Sequence, residues 1–142
     1  MSKSNFYRDV LLKHARHPKN SGILECPDIR AYAFNPLCGD ELELTMALSD
    51  LTVIECKTKV RGCSICQASA SMMSEFILSK TMNEAVITSQ KFTEILKKEN
   101  CEIPENLEFL SPLISLKKHR SRIKCMKLAW DALEDCASQI KT

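Results

Sequence analysis

Two of the three glycines in the chain adjoin cysteines, in Cys38-Gly39-Asp40 and in Gly62-Cys63. Glycine tolerates the tight backbone turns by which neighbouring side chains can reach one centre. Cys38 and Asp40, two apart around Gly39, can therefore both turn toward a single ion. Cys63 falls where an alternating run gives way to a helical one. Unpaired N–H groups and the positive end of a helix dipole favour the thiolate there, which is the form that binds metal or attacks sulfur. Cys125 is read in the same kind of position, at the opening of a last helix. Three thiolates and one carboxylate suit tetrahedral zinc. Such a filled site carries a formal charge of about −2, which Arg61, Arg122 and Lys124 are placed to offset. Each cysteine taken singly is as well explained as a small buried hydrophobe, and spacing alone does not decide between the two.

Eight cysteines in 142 residues is the outlying feature of the composition. Disulfides are disfavoured, because the N-terminus Met-Ser-Lys-Ser-Asn-Phe-Tyr-Arg-Asp carries charges where a secretion signal needs an apolar run. A cytoplasmic, reducing setting is expected, and there cysteine clusters serve metals or catalysis. No apolar stretch reaches the roughly 18 residues that cross a bilayer, so no membrane partner is expected. The formal charge of +2 gives no argument for nucleic acid. With so few glycines there is no phosphate-cradling loop, and nucleotide use is not expected.

The elements that must position these residues follow from periodicity. Residues 4–16 read as a helix with Phe6, Val10 and Leu11 in an apolar stripe, ended by His17-Pro18. Residues 31–36 suit a short strand leading into Cys38. Leu42, Leu44, Met46 and Leu48 alternate with Glu41, Glu43 and Thr45, a strand with one buried face. After a turn at Ser49-Asp50, Ile54, Cys56, Thr58 and Val60 alternate with Glu55, Lys57 and Lys59, which completes an antiparallel meander. Cys63 to Lys80 is helical, and residues 82–99 suit one helix or two. Pro104 and Pro112 bracket a less regular stretch. A helix over 121–140 places Ile123, Met126, Trp130, Leu133, Ala137 and Ile140 on one face. The fold class expected is α+β, a small three-stranded antiparallel sheet packed against about five helices, in a single domain over residues 1–142.

Three segments, in this order, then become recognisable: Asn35-Pro36-Leu37-Cys38-Gly39-Asp40, Gly62-Cys63-Ser64-Ile65-Cys66-Gln67-Ala68-Ser69-Ala70-Ser71-Met72-Met73, and Arg122-Ile123-Lys124-Cys125-Met126-Lys127-Leu128-Ala129-Trp130. They resemble the signature segments of the IscU/NifU-N/SufU family of iron–sulfur cluster assembly proteins, nearly end to end. The resemblance implies the same small sheet with packed helices, and metal ligands at Cys38, Asp40, Cys63 and Cys125. Lys124 stands where the IscU branch has a histidine, and the stretch between Cys63 and Cys125 is longer, with Pro104 to His119 in the insertion. Both departures resemble the SufU branch. That branch implies a zinc-dependent sulfurtransferase, an acceptor of persulfide sulfur from a SufS-like, pyridoxal-phosphate-dependent cysteine desulfurase. It implies transfer roles for Cys38, Asp40 and Arg122, and downstream iron–sulfur assembly proteins as further partners. Two alternatives stand beside it: a scaffold on which a [2Fe–2S] cluster is built and passed on, and a binding module with purely structural zinc.

Cys66 falls where many relatives have serine. One turn from Cys63, it could face the site, though core packing is the preferred reading. Cys26, Cys56, Cys101 and Cys136 carry no motif, and Cys136, Trp130 and Met72-Met73 read as packing. His14 and His17 read as surface or partner-facing. His119, in Lys117-Lys118-His119-Arg120, reads as part of a solvated basic face, with an acidic partner patch as the second choice.

Overall fold

The computed structural model describes residues 2–140. Helix α1 spans Lys3–Arg16; Ser2 caps it by accepting the Asn5 N–H, and His17 ends it ahead of Pro18. Of the expected stripe only Leu11 is buried, and Phe6 is 57% exposed. Phe6 therefore belongs to the surface.

The sheet is the expected meander. Strands β1 (Ile29–Asn35), β2 (Asp40–Ser49) and β3 (Thr52–Arg61) pair antiparallel in that order. Leu42, Leu44 and Met46 are buried as their alternation requires. Thr45, on the opposite face, is buried too: the segment after α1 crosses it, and the Leu24 N–H donates to Thr45 Oγ1 at 3.1 Å. The β2–β3 turn carries Asp50 and Leu51 at φ of 49° and 66°, the two positive dihedrals of a tight hairpin turn matched to strand twist. A bulge follows between Ala47 and Leu48, so that Leu48 pairs with Val53 while Ala47 pairs with Glu55. Ile54 is the extra residue. Val53 is consequently buried and Ile54 is 54% exposed, which corrects the expected inward position of Ile54.

Helices α2 (Ser64–Ile77) and α3 (Met82–Lys97) follow β3, and α3 is one continuous helix. Thr81 and Glu84 form a reciprocal capping box at its start. The proline-bracketed stretch is a 3-10 turn, Glu105–Leu110, running into the short α4, Ser111–Ile114. Its Leu107, Leu110, Leu113 and Ile114 are buried, so this insertion completes the core. Helix α5, Arg120–Gln139, packs on β1, β2, α2 and α3. Met126, Trp130 and Leu133 are fully buried along it, as is Cys136. The Trp130 indole N–H donates to Ser69 Oγ at 3.2 Å, and that hydroxyl donates to the Met126 carbonyl at 2.6 Å. Among the described residues, no buried side-chain polar atom lacks a partner, and no helix is long and apolar enough to cross a membrane.

Candidate metal centre

Strand register brings the first parts of the site together. Asn35 pairs with Asp40 where β1 meets β2, and Pro36 to Gly39 form the tip between them. Gly39 takes φ +78°, and its N–H donates to the Asn35 carbonyl at 2.8 Å. The tip presents Cys38 to solvent while Asp40, the first residue of β2, is 2% exposed. On the other side of β2, Glu41 pairs with Arg61, so the end of β3 delivers Gly62 and Cys63 beside Asp40. Cys63 is the N-cap of α2, as expected for a strand-to-helix junction, and its Sγ accepts the Cys66 N–H at 3.4 Å. Helix α5, lying across β1 and β2, brings in Cys125 from 87 residues away.

Cys38, Asp40 and Cys125 have donor atoms within 4.8 Å of one another. Cys63 lies outside that mutual limit but reaches Asp40 Oδ2 at 3.5 Å, while its N–H donates to Asp40 Oδ1 at 2.9 Å. Two thiolates about 2.3 Å from a tetrahedral zinc would sit about 3.8 Å apart, and a thiolate and a carboxylate oxygen about 3.6 Å apart. The Cys38–Cys125 separation is 4.0 Å and the Cys63–Asp40 separation 3.5 Å. These two separations match such a site, and the donor chemistry fits zinc; a four-ligand site would require Cys63 to draw in toward Cys38 and Cys125. At 4.0 Å the two sulfurs are not bonded, and all eight cysteines are free.

Electrostatics divides the four residues. Burial pushes the Asp40 carboxyl upward, but hydrogen bonds from the Cys38 thiol, the Cys63 N–H and the Cys125 and Cys63 thiols outweigh it, and the net shift is downward. Asp40 is thus held as a carboxylate. Cys125 is the opposite case: burial first, then the adjacent Asp40 and Cys63, drive its thiol pKa well above the ordinary value. The sequence placed Cys125 at a helix opening. It is the sixth residue of α5, one position later than expected and already in the second turn, past the dipole's first-turn reach, with its Sγ 3.8 Å from the Ser121 carbonyl. A bound cation is what would make it a thiolate.

The remaining candidates lie around this centre. Arg122 is exposed, one turn before Cys125, and forms no ion pair among the described residues. Arg61 pairs with Glu41 at 3.5 Å, and Lys124 is exposed. Cys66 is fully buried in the core, and burial, reinforced by Asp40, Cys63 and Cys38, pushes its thiol up to about 12. It backs the site and stands outside the ligand cluster. His14, read as a surface residue, is half-buried with Nδ1 2.7 Å from Ser71 Oγ. Sequence reasoning missed two features. Gly62 is where a Cβ would lie 2.5 Å from Asp40 Oδ1. The hairpin that carries Cys38 also exposes Tyr32 (68%), Phe34 (60%) and Leu37 (78%); large residues alternating with Ala31 and Ala33 were the available signal.

A three-stranded meander backed by helices, with Cys38 at its first hairpin tip and Asp40, Cys63 and Cys125 gathered beside it, defines a small α+β class with a candidate metal site. Residues 6–142 match the family described as NifU-like N terminal domain. The chain is 37% identical over 128 residues to the zinc-dependent sulfurtransferase SufU of Bacillus subtilis, covering 90% of this chain and 86% of that protein. It is 31% identical over 137 residues to the iron-sulfur cluster assembly scaffold protein IscU of Streptococcus pyogenes, covering 95% and 85%. Its fold is similar to that of FiSufU from Fervidobacterium islandicum AW-1, with TM-score 0.84, 26% identity, and 95% and 98% of the two chains covered. The chain belongs to the NifU-like N-terminal family, that of the IscU- and SufU-type proteins, as its three cysteine segments and its sheet led one to expect.

Proposed function

We propose that this chain accepts sulfane sulfur from a cysteine desulfurase onto Cys38, as a zinc-dependent sulfurtransferase in iron–sulfur cluster assembly. The observation that carries the reading is the unequal exposure of the donors: Cys38 is open to solvent while Asp40 and Cys125 beneath it are buried. A thiol that must meet a sulfur carried by another protein has to be the outermost of the set. Cys38, Asp40, Cys63 and Cys125 would hold the zinc, whose charge keeps the cysteines as thiolates and shields them from oxidation. The name of the Bacillus subtilis relative agrees with this assignment.

In the transfer, the Cys38 thiolate forms a bond to the terminal sulfur of the donor's persulfide. The donor's S–S bond breaks and its electron pair stays on the donor cysteine, which leaves as a thiolate. The terminal sulfur carries its proton across, so no oxidant or reductant is consumed. Asp40, kept ionised and held by the Cys63 N–H, would be the oxygen ligand beside the three thiolates. The exposed Arg122, one turn from Cys125, supplies positive charge for docking or for the charged sulfur. The exposed Tyr32, Phe34 and Leu37 give a donor an apolar surface to meet beside Cys38.

The test is sulfide release by a pyridoxal-phosphate-dependent cysteine desulfurase, with reductant present, on adding the wild-type chain or Cys38→Ala. Stimulation is expected from the wild type and not from the variant; unchanged stimulation ends the idea. A second reading, a scaffold carrying a [2Fe–2S] cluster as cargo, draws on the IscU-named relatives and on the affinity of thiolates for iron as well as zinc. Anaerobic reconstitution separates them: a cluster formed and passed to an apo-acceptor, with no sulfur on Cys38, supports the scaffold.

A further inference from the structure

A second concave surface lies beside the metal centre and takes no part in it. It is a groove of about 670 Å³ between the C-terminal end of α3, the turn after α4 and the first turns of α5. Six cations line it: Lys97 and Lys98 from the first wall, Lys117 and Lys118 from the turn, Arg120 and Lys124 from α5. Glu99 is the single carboxylate among the lining residues. Among the described residues the ion pairs are Arg30–Glu43 and Arg61–Glu41, so none of the six is neutralised by a partner. The whole chain carries only +2. The positive charge is therefore concentrated here.

Two further features aim the groove at an anion. Lys117 is anchored, its Nζ donating to the Ile95 and Lys98 carbonyls at 3.2 and 2.7 Å, so the end of α3 already has its cation. The others are spare. Helix α5, whose Arg120 lines the groove, begins without a side-chain cap on His119 and without an acidic residue in its first turn, so nothing acidic in that turn offsets the positive end of the helix. The groove also has an apolar floor, Leu96 and Ile123. No aromatic side chain lines it, whereas surfaces that hold single-stranded nucleic acid use aromatic platforms for the bases.

We propose that this groove docks an acidic, leucine-type peptide segment of a partner protein, its carboxylates on the lysines and Arg120 and its apolar side chains on Leu96 and Ile123. Lys124, which lines the groove, precedes Cys125 on α5, so groove and donor cluster share one helix. The inference does not depend on sulfur transfer, because it concerns a surface that works with or without metal.

Fluorescence anisotropy of the full chain tests it, with a labelled peptide of alternating glutamate and leucine as the probe. Expected are binding in low salt that weakens as salt is raised, and none for the matching glutamine–leucine peptide. Lys97→Glu/Lys118→Glu is expected to lose roughly tenfold or more in affinity, while the equal charge change Lys13→Glu/Lys91→Glu, on exposed positions outside the groove, loses little. If the reversed variant fails to fold, Lys97→Gln/Lys118→Gln is expected to show a smaller loss of the same kind. No binding of the glutamate peptide, equal losses in groove and control variants, or tighter binding of an oligothymidylate of matched charge would each overturn the proposal.

Discussion

Replacing Gly62 with alanine tests the construction of the proposed metal centre at its least forgiving point. The new Cβ would stand 2.5 Å from Asp40 Oδ1 and 2.8 Å from Asp40 Cγ. Regaining ordinary contact means moving the carboxylate by about 1 Å, several times the tolerance of about 0.2 Å for a metal–ligand bond. The same movement breaks the 2.9 Å hydrogen bond from the Cys63 N–H to Asp40, a contact to a charged group worth about 1.5–3 kcal/mol. Zinc affinity is expected to fall by roughly 10–100-fold, as when the support of a ligand is lost, or about 1.4–2.7 kcal/mol. Competition against a chromophoric chelator measures this directly. Gly39→Ala is the control, since nothing lies within 4 Å of its added Cβ and its φ of +78° is the sole objection. Backbone strain of about 1–2 kcal/mol is expected there, read as a lower melting temperature with a smaller loss of affinity. Wild-type zinc affinity in Gly62→Ala would refute the reasoning that Asp40 is held in place for a metal.

Two further outcomes follow from burial. His14 is lowered from its ordinary pKa first by burial, with Lys19 and Lys13 adding and Glu75 opposing; the unfolded chain thus binds the proton more readily, and the stability from neutral His14 is present above pH of about 6.5 and lost as pH falls below it. Melting of metal-free protein across that range should show a pH dependence that His14→Gln flattens, and equal slopes would dismiss it. Chelation is expected to leave a cooperatively melting protein with Trp130 still buried, while zinc at a hundredfold excess over its dissociation constant adds about 2.7 kcal/mol; loss of the melting transition on chelation would instead identify the zinc as structural.

The fold was legible wherever one physical signal dominated. Leu42, Leu44 and Met46 alternate without interruption, and Trp130 and Leu133 sit on a continuous helical stripe, so element type and buried face follow together. The failures have local causes. The bulge at Ala47/Leu48 reverses the phase of β3 at its start, and nothing in Val53-Ile54 announces it. Phe6 fits a helical stripe by spacing, yet the neighbours of α1 bury Leu11 and partly cover Val10, His14 and Ala15 while leaving Phe6 exposed. The stretch from Glu105 to Ile114 hid its core role because its leucines follow a 3-10 turn and then one turn of α-helix, too short for either period to register.

The site was legible in its residue types and only partly in its placement. Gly39 and Gly62 both drew attention as turn residues, but they act differently: Gly39 supplies a left-handed dihedral, and Gly62 supplies empty space for Asp40. The helix expected over 121–140 begins within one residue of the observed Arg120, so the position of Cys125 was legible and only the reach of the helix dipole was overstated. That difference changes the chemistry. A cysteine in the first turn would be helped toward its thiolate by the helix itself, whereas Cys125, buried against the Asp40 carboxylate, has its pKa raised and would need a bound cation to ionise. The four donors come from the β1–β2 tip, the head of β2, the cap of α2 and the second turn of α5, so they converge only once α5 has docked on the sheet. The docking itself is secured by Met126, Trp130 and Leu133, all fully buried. The apolar core therefore brings the four donors together by itself, and a metal bound there would select the charge state of a thiol that burial otherwise keeps neutral.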